Sequence, residues 1–228
     1  MCREIKELKM TNNYDFSNLL IEDEMNQTQK NEINLEIENI ADMLSHNIIQ
    51  NNRDIEPVRD KPYATPIIGL AHHFGFTTFS IPSFEDFPLQ EYKNSSGMIS
   101  ISGDYIDLYR SDKIMIINSK ENTGHQRFTV AHELGHYVFD FNELDNYTYT
   151  DFYRTDEAYI NNKEVRASRF AAALLMPREK FIERYMDLSK SNHYTYYELV
   201  NILSSDFLVS PSAVDRRIRE LKEIEVIV

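Results

Sequence analysis

Residues 126–136 limit the possible fold and chemistry of this chain more than any other segment does. They place His132 and His136 four positions apart in a run whose apolar residues predict a largely buried helix. Such residues lie one helical turn apart on the same face, so both imidazoles can bind a single ion. Two buried imidazoles without a partner would instead be costly. The segment therefore predicts a metal centre rather than a surface helix with two unrelated histidines.

Glu133 directly follows the first of these histidines. Helical geometry places it about 100° further round the axis, so its carboxylate is expected beside the ion rather than on it. A carboxylate in that position can accept a proton from water activated by the metal, which predicts that Glu133 is a catalytic base. Gly135 costs roughly 1 kcal/mol relative to Ala inside a helix, and close packing near the metal is the expected compensation. Thr123 and Gln126 form a capping-box pattern that predicts where the helix begins.

A catalytic zinc site usually has three protein ligands, so a third is expected from a following element. The candidates are Asp140, the acidic residues of segment 143–157, and Glu164. Asp140 is disfavoured because three ligands at successive turns of one helix fit awkwardly around one ion. Glu164 opens an alanine-rich segment that predicts a helix able to pack closely against the histidines, so it is the preferred ligand. Zn²⁺ is the expected ion, although Mn²⁺ or another divalent ion also suits two histidines and a carboxylate.

Composition limits the classes of partner and compartment. The 228 residues carry 24 Lys and Arg against 37 Asp and Glu, a net charge of −13, which disfavours binding to nucleic acid or to an anionic membrane. A single cysteine, Cys2, excludes an intrachain disulfide and a thiolate metal cluster. The sequence shows neither a membrane span nor a signal-peptide core, so we expect a cytoplasmic protein.

The chain divides into four predicted segments. Residues 1–30 form an acidic, flexible arm, and residues 31–60 form an amphipathic helix and a linker. Residues 61–190 form the metal-binding core, and residues 191–228 form two helices joined by a short turn. Helices are predicted at 31–50, 65–75 (with Thr65 as N-cap), 126–139, 164–176, 177–188, 196–207 and 211–222.

Between the second and third of these helices, alternating segments separated by two-residue turn signals predict a small antiparallel β meander. Its strands are expected at 76–81, 97–102, 105–110 and 113–118. The apolar residues expected to face the core are Ile99, Ile101, Ile106, Leu108, Ile114 and Ile116. The connection at 142–162 shows no clear period and is predicted to be irregular.

Two motifs resemble the ImmA/IrrE family of metallopeptidases: residues 127–136, which hold both histidines, and residues 170–177, which end at Pro177. With the flanking elements, the resemblance spans residues 60–222. It implies an α+β fold with a zincin-like metallopeptidase core, and it makes Glu164, 13 residues before Pro177, the third ligand. It also implies cleavage of a partner protein, a helix-turn-helix repressor of a prophage, an integrative element or a stress regulon.

This chain departs from the family pattern at three positions near the metal site. The family often has Glu and Asn where this chain has Arg166 and Ser168, and often has a histidine where this chain has Asp140. These positions concern the residues behind the ligands, so the three ligands and the base are expected to be retained.

The last two predicted helices offer a rival interpretation, in which the chain is a regulatory protein-binding or DNA-binding module with a structural or inactive metal site. Arg216, Arg217 and Arg219 lie on the second of these helices, but acidic neighbours can pair with them. The negative net charge favours such surface pairs over DNA contacts. His125 is a candidate for a role behind the ligands. A group that stabilises the oxyanion is also expected, and the nearby candidates are Tyr137, Tyr147, Tyr149 and Tyr153.

Overall fold

The computed structural model describes residues 25–84, 95–101, 103, 105–140, 148–152, 162–190 and 193–223. Within these residues the fold is α+β. The helices are α1 (Gln27–Met43, continued as a π-helix over Leu44–Gln50), α2 (Ile67–His73), α3 (Ile106–Tyr109), α4 (Thr123–Phe139), α5 (Asn162–Leu175), α6 (Arg178–Lys190), α7 (Tyr196–Phe207) and α8 (Pro211–Glu223). The strands are β1 (Thr77–Ile81), β2 (Ser95–Ser100), β3 (Ile114–Asn118) and β4 (Thr148–Phe152).

The four strands form one mixed sheet with the order β1-β3-β2-β4. Strand β2 is antiparallel to both β3 and β4, but β1 runs parallel to β3. The predicted antiparallel meander is therefore wrong, since parallel strands need a crossover and cannot form a hairpin. Strand β4 lies in the connection that was predicted to be irregular, although its Thr, Tyr and Phe residues favour strands.

The segment predicted as a strand at 105–110 forms the one-turn helix α3 instead. Gly103 does adopt the positive φ of a turn, at 73°, but the chain then enters a helix. Tyr105 and Tyr109, one helical turn apart, pack against buried residues of the sheet. The predicted core residues Ile106 and Leu108 are 47% and 61% exposed. Aromatic packing at helical spacing therefore outweighs the alternation of smaller apolar residues.

The core lies mainly between the sheet and the helices. On β3, Met115 and Ile117 face this main core, whereas Ile114 and Ile116 face a smaller cluster on the other side of the sheet. This is the period-two pattern of a strand that is covered on both faces. Helix α4 packs across β2 and β3 on one side and against α5 on the other. The predicted metal-binding helix therefore occupies the centre of the fold.

The predicted helices are confirmed, with bounds that shift by a few residues. Helix α7 begins and ends where predicted, and α1 begins at Gln27, inside the segment predicted as an arm. Residues 1–24 lie outside the described residues. Two predicted N-caps are wrong. At the start of α4, the side chain that accepts a backbone N–H is that of Asn122 rather than Thr123. Thr65 does not cap α2, because its hydroxyl donates to the carbonyl of Leu174 instead. In the described part of the chain, every helix is too short or too polar to span a membrane.

The C-terminal helices are fastened to the N-terminal helix through a buried ion pair. Arg217 of α8 is fully buried and donates through two nitrogens to the carboxylate of Glu38 on α1. It also donates to the carbonyl of Met176, at 2.9 and 3.2 Å, which satisfies a carbonyl just beyond the end of α5. Arg217 is therefore a structural residue, which removes it from any DNA-binding face.

The other two arginines of α8 do not make such a face either. Arg219 is exposed and pairs with Asp215 at 3.0 Å, one turn earlier. Only Arg216 remains as an exposed arginine of this helix that forms no ion pair within the described residues. Lys222, in the last turn of α8, is exposed as well, but two such cations are fewer than the several phosphate contacts on which DNA binding depends.

Candidate metal centre

Helix α4 presents both histidines from its buried face. Its first turn is capped by Asn122, whose side chain accepts the backbone N–H of His125 at 3.0 Å. Along the rest of the helix nearly every residue from Arg127 to Phe139 is buried. His132 is 3% exposed and His136 is fully buried. Two imidazoles are thus held inside the protein at adjacent turns.

Helix α5 approaches α4 very closely at Gly135. A Cβ atom added there would lie 3.0 Å from the Cα and 3.2 Å from the Cβ of Ala167 on α5. The absence of a side chain at Gly135 and the small side chain at Ala167 therefore let the two helices meet. This confirms the close packing expected from a glycine inside a helix. The contact brings the first turn of α5, with Glu164, to the two histidines.

Three side chains from these helices form a compact triangle. Nε2 of His132 lies 3.1 Å from Nε2 of His136 and 3.1 Å from Oε2 of Glu164, and Nε2 of His136 lies 3.6 Å from Oε1 of Glu164. A tetrahedral zinc ion with bonds of about 2.0–2.1 Å separates its ligand atoms by roughly 3.3–3.4 Å. The donor atoms and their spacing thus fit a zinc ion. These are also the residues that group as potential metal ligands in the described part of the chain.

Hydrogen bonds within the triangle shift the pKa values of Glu164 and His136. Burial alone would raise the pKa of Glu164, but hydrogen bonds from His132 and His136 outweigh it and bring that pKa to about 2. Burial alone would lower the pKa of His136, but hydrogen bonds to Asp140 and Glu164 outweigh it and raise that pKa. The carboxylate of Glu164 is therefore ionised at neutral pH, as a metal ligand must be.

Asp140 lies behind His136 rather than among the ligand atoms. Its Oδ2 is 2.9 Å from Nδ1 of His136, and its Oδ1 accepts from Arg166 at 2.7 Å and pairs with Lys163 at 3.2 Å. A carboxylate on the second nitrogen of a metal-binding histidine fixes the ring and its tautomer. Two departures from the family pattern, Asp140 and Arg166, are therefore direct partners of opposite charge.

The third departure, Ser168, lies behind the other histidine. Its Oγ is 3.3 Å from Nδ1 of His132, and the ring of Phe128 lies 6.0 Å from the ring of the same histidine. Each histidine thus has a polar partner on its Nδ1. The sequence drew attention to position 168 only as a departure from the family. Ser168 reaches His132 because it lies one turn after Glu164 on the same face of the same helix.

Glu133 lies beside strand β2. Its side chain is fully buried, and a Cβ atom added at Gly97 of β2 would lie 3.6 Å from its Oε1. The same added atom would lie only 2.2 Å from Cγ2 of Thr129, so β2 and α4 can approach this closely only with glycine at position 97. Gly97 was not singled out in the sequence, because its role depends on a contact between distant segments.

The candidates for stabilising the oxyanion, and His125, either lie away from the triangle or lie outside the described residues. Tyr137 is 1% exposed and is packed against Phe76 with its hydroxyl on Lys113, so it belongs to the core. Tyr147, Tyr153 and the side chain of Tyr149 lie outside the described residues. His125 is two turns before His132, where it contacts Glu121 at 2.7 Å and Ser96 at 3.3 Å. The described structure therefore assigns no tyrosine to an oxyanion.

Comparison with known families agrees with this geometry. The family model Peptidase_M78, described as an IrrE N-terminal-like domain, matches residues 90–219. The matched range exceeds half of the chain and contains His132, Glu133, His136 and Glu164. Among curated proteins, none matches the chain. The family resemblance noted in the sequence is thereby confirmed, and the chain belongs to the Peptidase_M78 family of metallopeptidases.

Proposed function

We propose that this protein is a zinc-dependent endopeptidase in which His132, His136 and Glu164 hold the ion and Glu133 is the catalytic base. The triangle of side chains on α4 and α5 carries this proposal, because the closest nitrogen and oxygen atoms of each pair lie 3.1, 3.1 and 3.6 Å apart, which suits a tetrahedral ion. Two histidines and a carboxylate leave a fourth position open, as catalytic zinc sites do. Mn²⁺ or another divalent ion is an alternative with the same ligands.

The residues of the site would have different roles in peptide hydrolysis. The ion, when bound, supplies a Lewis acid that acidifies water and polarises the substrate carbonyl. Glu133 accepts the proton of the attacking water and returns it to the leaving amine. Asp140 and Ser168 hold the two imidazole rings in place through their Nδ1 atoms. Their contribution is orientation, since neither side chain reaches the triangle's ligand atoms in these contacts.

We further propose that the fold is zincin-like and that the substrate is a partner protein, a helix-turn-helix repressor of a prophage, an integrative element or a stress regulon. The family membership supports a protein substrate, and the resemblance to ImmA/IrrE peptidases supports a repressor. The sheet also provides a place for an extended segment, because β4 is the outer strand among the strands that the structure describes and contacts α4. A substrate segment added to this edge would run beside the metal-binding helix.

Metal analysis of the purified protein tests the metal site. We expect about one zinc ion per chain, and we expect His132→Ala or Glu164→Ala to remove it, because each takes away one of three ligands. His193→Ala is the matched control, since His193 is exposed and lies outside the triangle. A wild-type chain that binds no divalent ion, even when zinc is supplied, would contradict the proposal.

Cleavage of a repressor tests the reaction. The substrate to try first is a helix-turn-helix repressor encoded beside the gene for this protein, followed by mass spectrometry of the fragments. Glu133→Gln should keep the zinc but lower the cleavage rate by about 10² or more, the usual size of a general-base effect. Glu179→Gln makes the same change at an exposed position on α6 and should leave the rate unchanged. Equal rates for the two variants would exclude Glu133 as the base.

A further inference from the structure

A cavity of about 370 Å³ opens beside the metal centre. It lies between the first turns of α4, the second half of α5 and the turn that joins α7 to α8. Two of its lining residues, Phe128 and Ser168, also contact His132, through the ring at 6.0 Å and through Nδ1 at 3.3 Å. The cavity and the metal centre therefore lie on either side of the His132 ring, since Ser168 contacts its Nδ1 and the triangle includes its Nε2. Neighbouring residues of one extended peptide can reach both.

About half of the residues that line the cavity are apolar. Small side chains on α5 and α8, at Ala172 and Ala213, leave room that larger residues would fill. The volume falls within the range of pockets that bind small ligands, and it exceeds that of a single large side chain. The apolar lining residues are Phe128, Ala172, Leu175, Met176, Val209 and Ala213.

The rim of the cavity carries a positive charge. Arg216 of α8 lines it, is exposed, and forms no ion pair among the described residues. Glu220, one turn later, feels the charge of Arg216 through space but forms no salt bridge with it. In a chain with a net charge of −13, an unpaired cation at the rim favours an acidic ligand group. The polar lining residues are Asn122, His125, Ser168, Ser210, Ser212 and Arg216.

The geometry points to a specificity pocket that binds a bulky apolar side chain of the peptide substrate, while Arg216 binds an acidic residue close to it in the same peptide. An extended peptide advances by about 3.3 Å per residue, so the acidic residue should lie within a few positions of the apolar one. The C-terminal helices then serve substrate recognition. This inference rests on the proposed peptidase function, because it concerns the substrate of that site.

A binding selection tests the pocket without requiring hydrolysis. The probe is a random heptapeptide library displayed on phage, selected on the zinc-loaded protein that carries Glu133→Gln. Enriched peptides should share a bulky apolar residue with Asp or Glu within three positions of it. Synthetic peptides of the enriched sequence then give dissociation constants for each further variant, and thermal unfolding shows that each variant is folded.

Ser212→Phe fills the cavity from an exposed position, so it should fold and should weaken the best peptide by about tenfold or more. Ala213→Leu fills it from a second position and should act in the same direction. Arg216→Glu should weaken the peptide by about tenfold, because attraction becomes repulsion. Arg219→Glu makes the same charge change on the same helix outside the cavity, and it should change binding less than twofold.

Selected peptides that lack a shared apolar residue, or that bind the filled variants as well as the parent, would overturn the apolar pocket. Equal effects of the two arginine variants would overturn the assignment of Arg216. Failure of the proposed function is a separate outcome. It would appear as a zinc-loaded wild-type chain that binds these peptides but cleaves neither them nor any repressor.

Discussion

Asp140 offers a sharp test of how the metal centre is held. The substitution Asp140→Asn keeps the size of the side chain and removes its charge. In the structure this carboxylate contacts Nδ1 of His136 at 2.9 Å and Arg166 at 2.7 Å, and its side chain is 2% exposed. The substitution should therefore affect two properties that can be measured separately: the affinity for zinc and the stability of the metal-free protein.

The two effects differ in size. Loss of the partner on a metal-binding histidine weakens metal binding by about 10- to 100-fold, which corresponds to about 1.4–2.7 kcal/mol. Arg166 is 1% exposed and would lose a buried anionic partner, which costs about 3–5 kcal/mol. Its position 4.9 Å from the ring of Phe139 offsets part of that loss. A cost near 3 kcal/mol would lower the melting temperature by roughly 6–12 °C in a domain of this size.

Competition with a chelator measures the zinc affinity, and thermal unfolding of the metal-free protein measures the stability. Adding Arg166→Met to Asp140→Asn should restore most of the stability, because it removes the buried charge that has lost Asp140 as its partner. It should not restore the zinc affinity, because His136 still lacks its carboxylate. A zinc dissociation constant within twofold of wild type in Asp140→Asn would refute the role assigned to Asp140. Recovery of both properties in the double variant would show that Arg166 alone explains the defect.

Three further predictions concern packing near the site, the buried ion pair between α8 and α1, and the titration of the site. Gly97→Ala should destabilise the protein by about 1–3 kcal/mol, because the added methyl group would collide with Cγ2 of Thr129. Adding Thr129→Ser removes that Cγ2 and should restore the stability measured by urea unfolding. A double variant as unstable as Gly97→Ala alone would contradict this contact. Arg217→Met should cost about 3–5 kcal/mol because it leaves Glu38 buried and unpaired, and adding Glu38→Leu should recover most of that loss in the same assay. Hydrogen-bonded carboxylates raise the pKa of His136 despite its burial, so protons compete with the metal as the pH falls. Zinc affinity should therefore drop between pH 8 and pH 6, and a constant affinity across this range would contradict the raised pKa.

The helices were predictable because their signals are local. Apolar residues at helical spacing and capping residues lie within a few positions of one another, and α7 was predicted with both of its bounds. The juxtaposition of His132 and His136 follows from the same periodicity. The approach of Glu164 also left a trace in the sequence, since Gly135 and the alanines of α5 are what a close helix contact requires.

The sheet was not predictable from the same signals. Turn residues at Gly103 and Ser111 indicated consecutive hairpins, but β1 pairs in parallel with β3, a contact between distant segments that no local pattern records. The alternation of Ile106 and Leu108 favoured a strand, whereas the pair Tyr105 and Tyr109 favours one turn of helix. Over six residues both patterns are present, and packing against the rest of the molecule decides between them.

The departures from the family pattern illustrate a different limit of sequence reasoning. Considered one at a time, Asp140 and Arg166 are changes of residue type beside the metal ligands and suggest an altered site. In the structure they form one charge pair, 26 residues apart in the chain, and Asp140 uses its other oxygen to orient His136. Without Asp140, Arg166 would lose its anionic partner in the protein interior, whereas without Arg166, Asp140 would keep Lys163 as a cationic partner. The two residues therefore form one structural unit, and its carboxylate behind His136 gives the support that a histidine needs when it holds a metal ion.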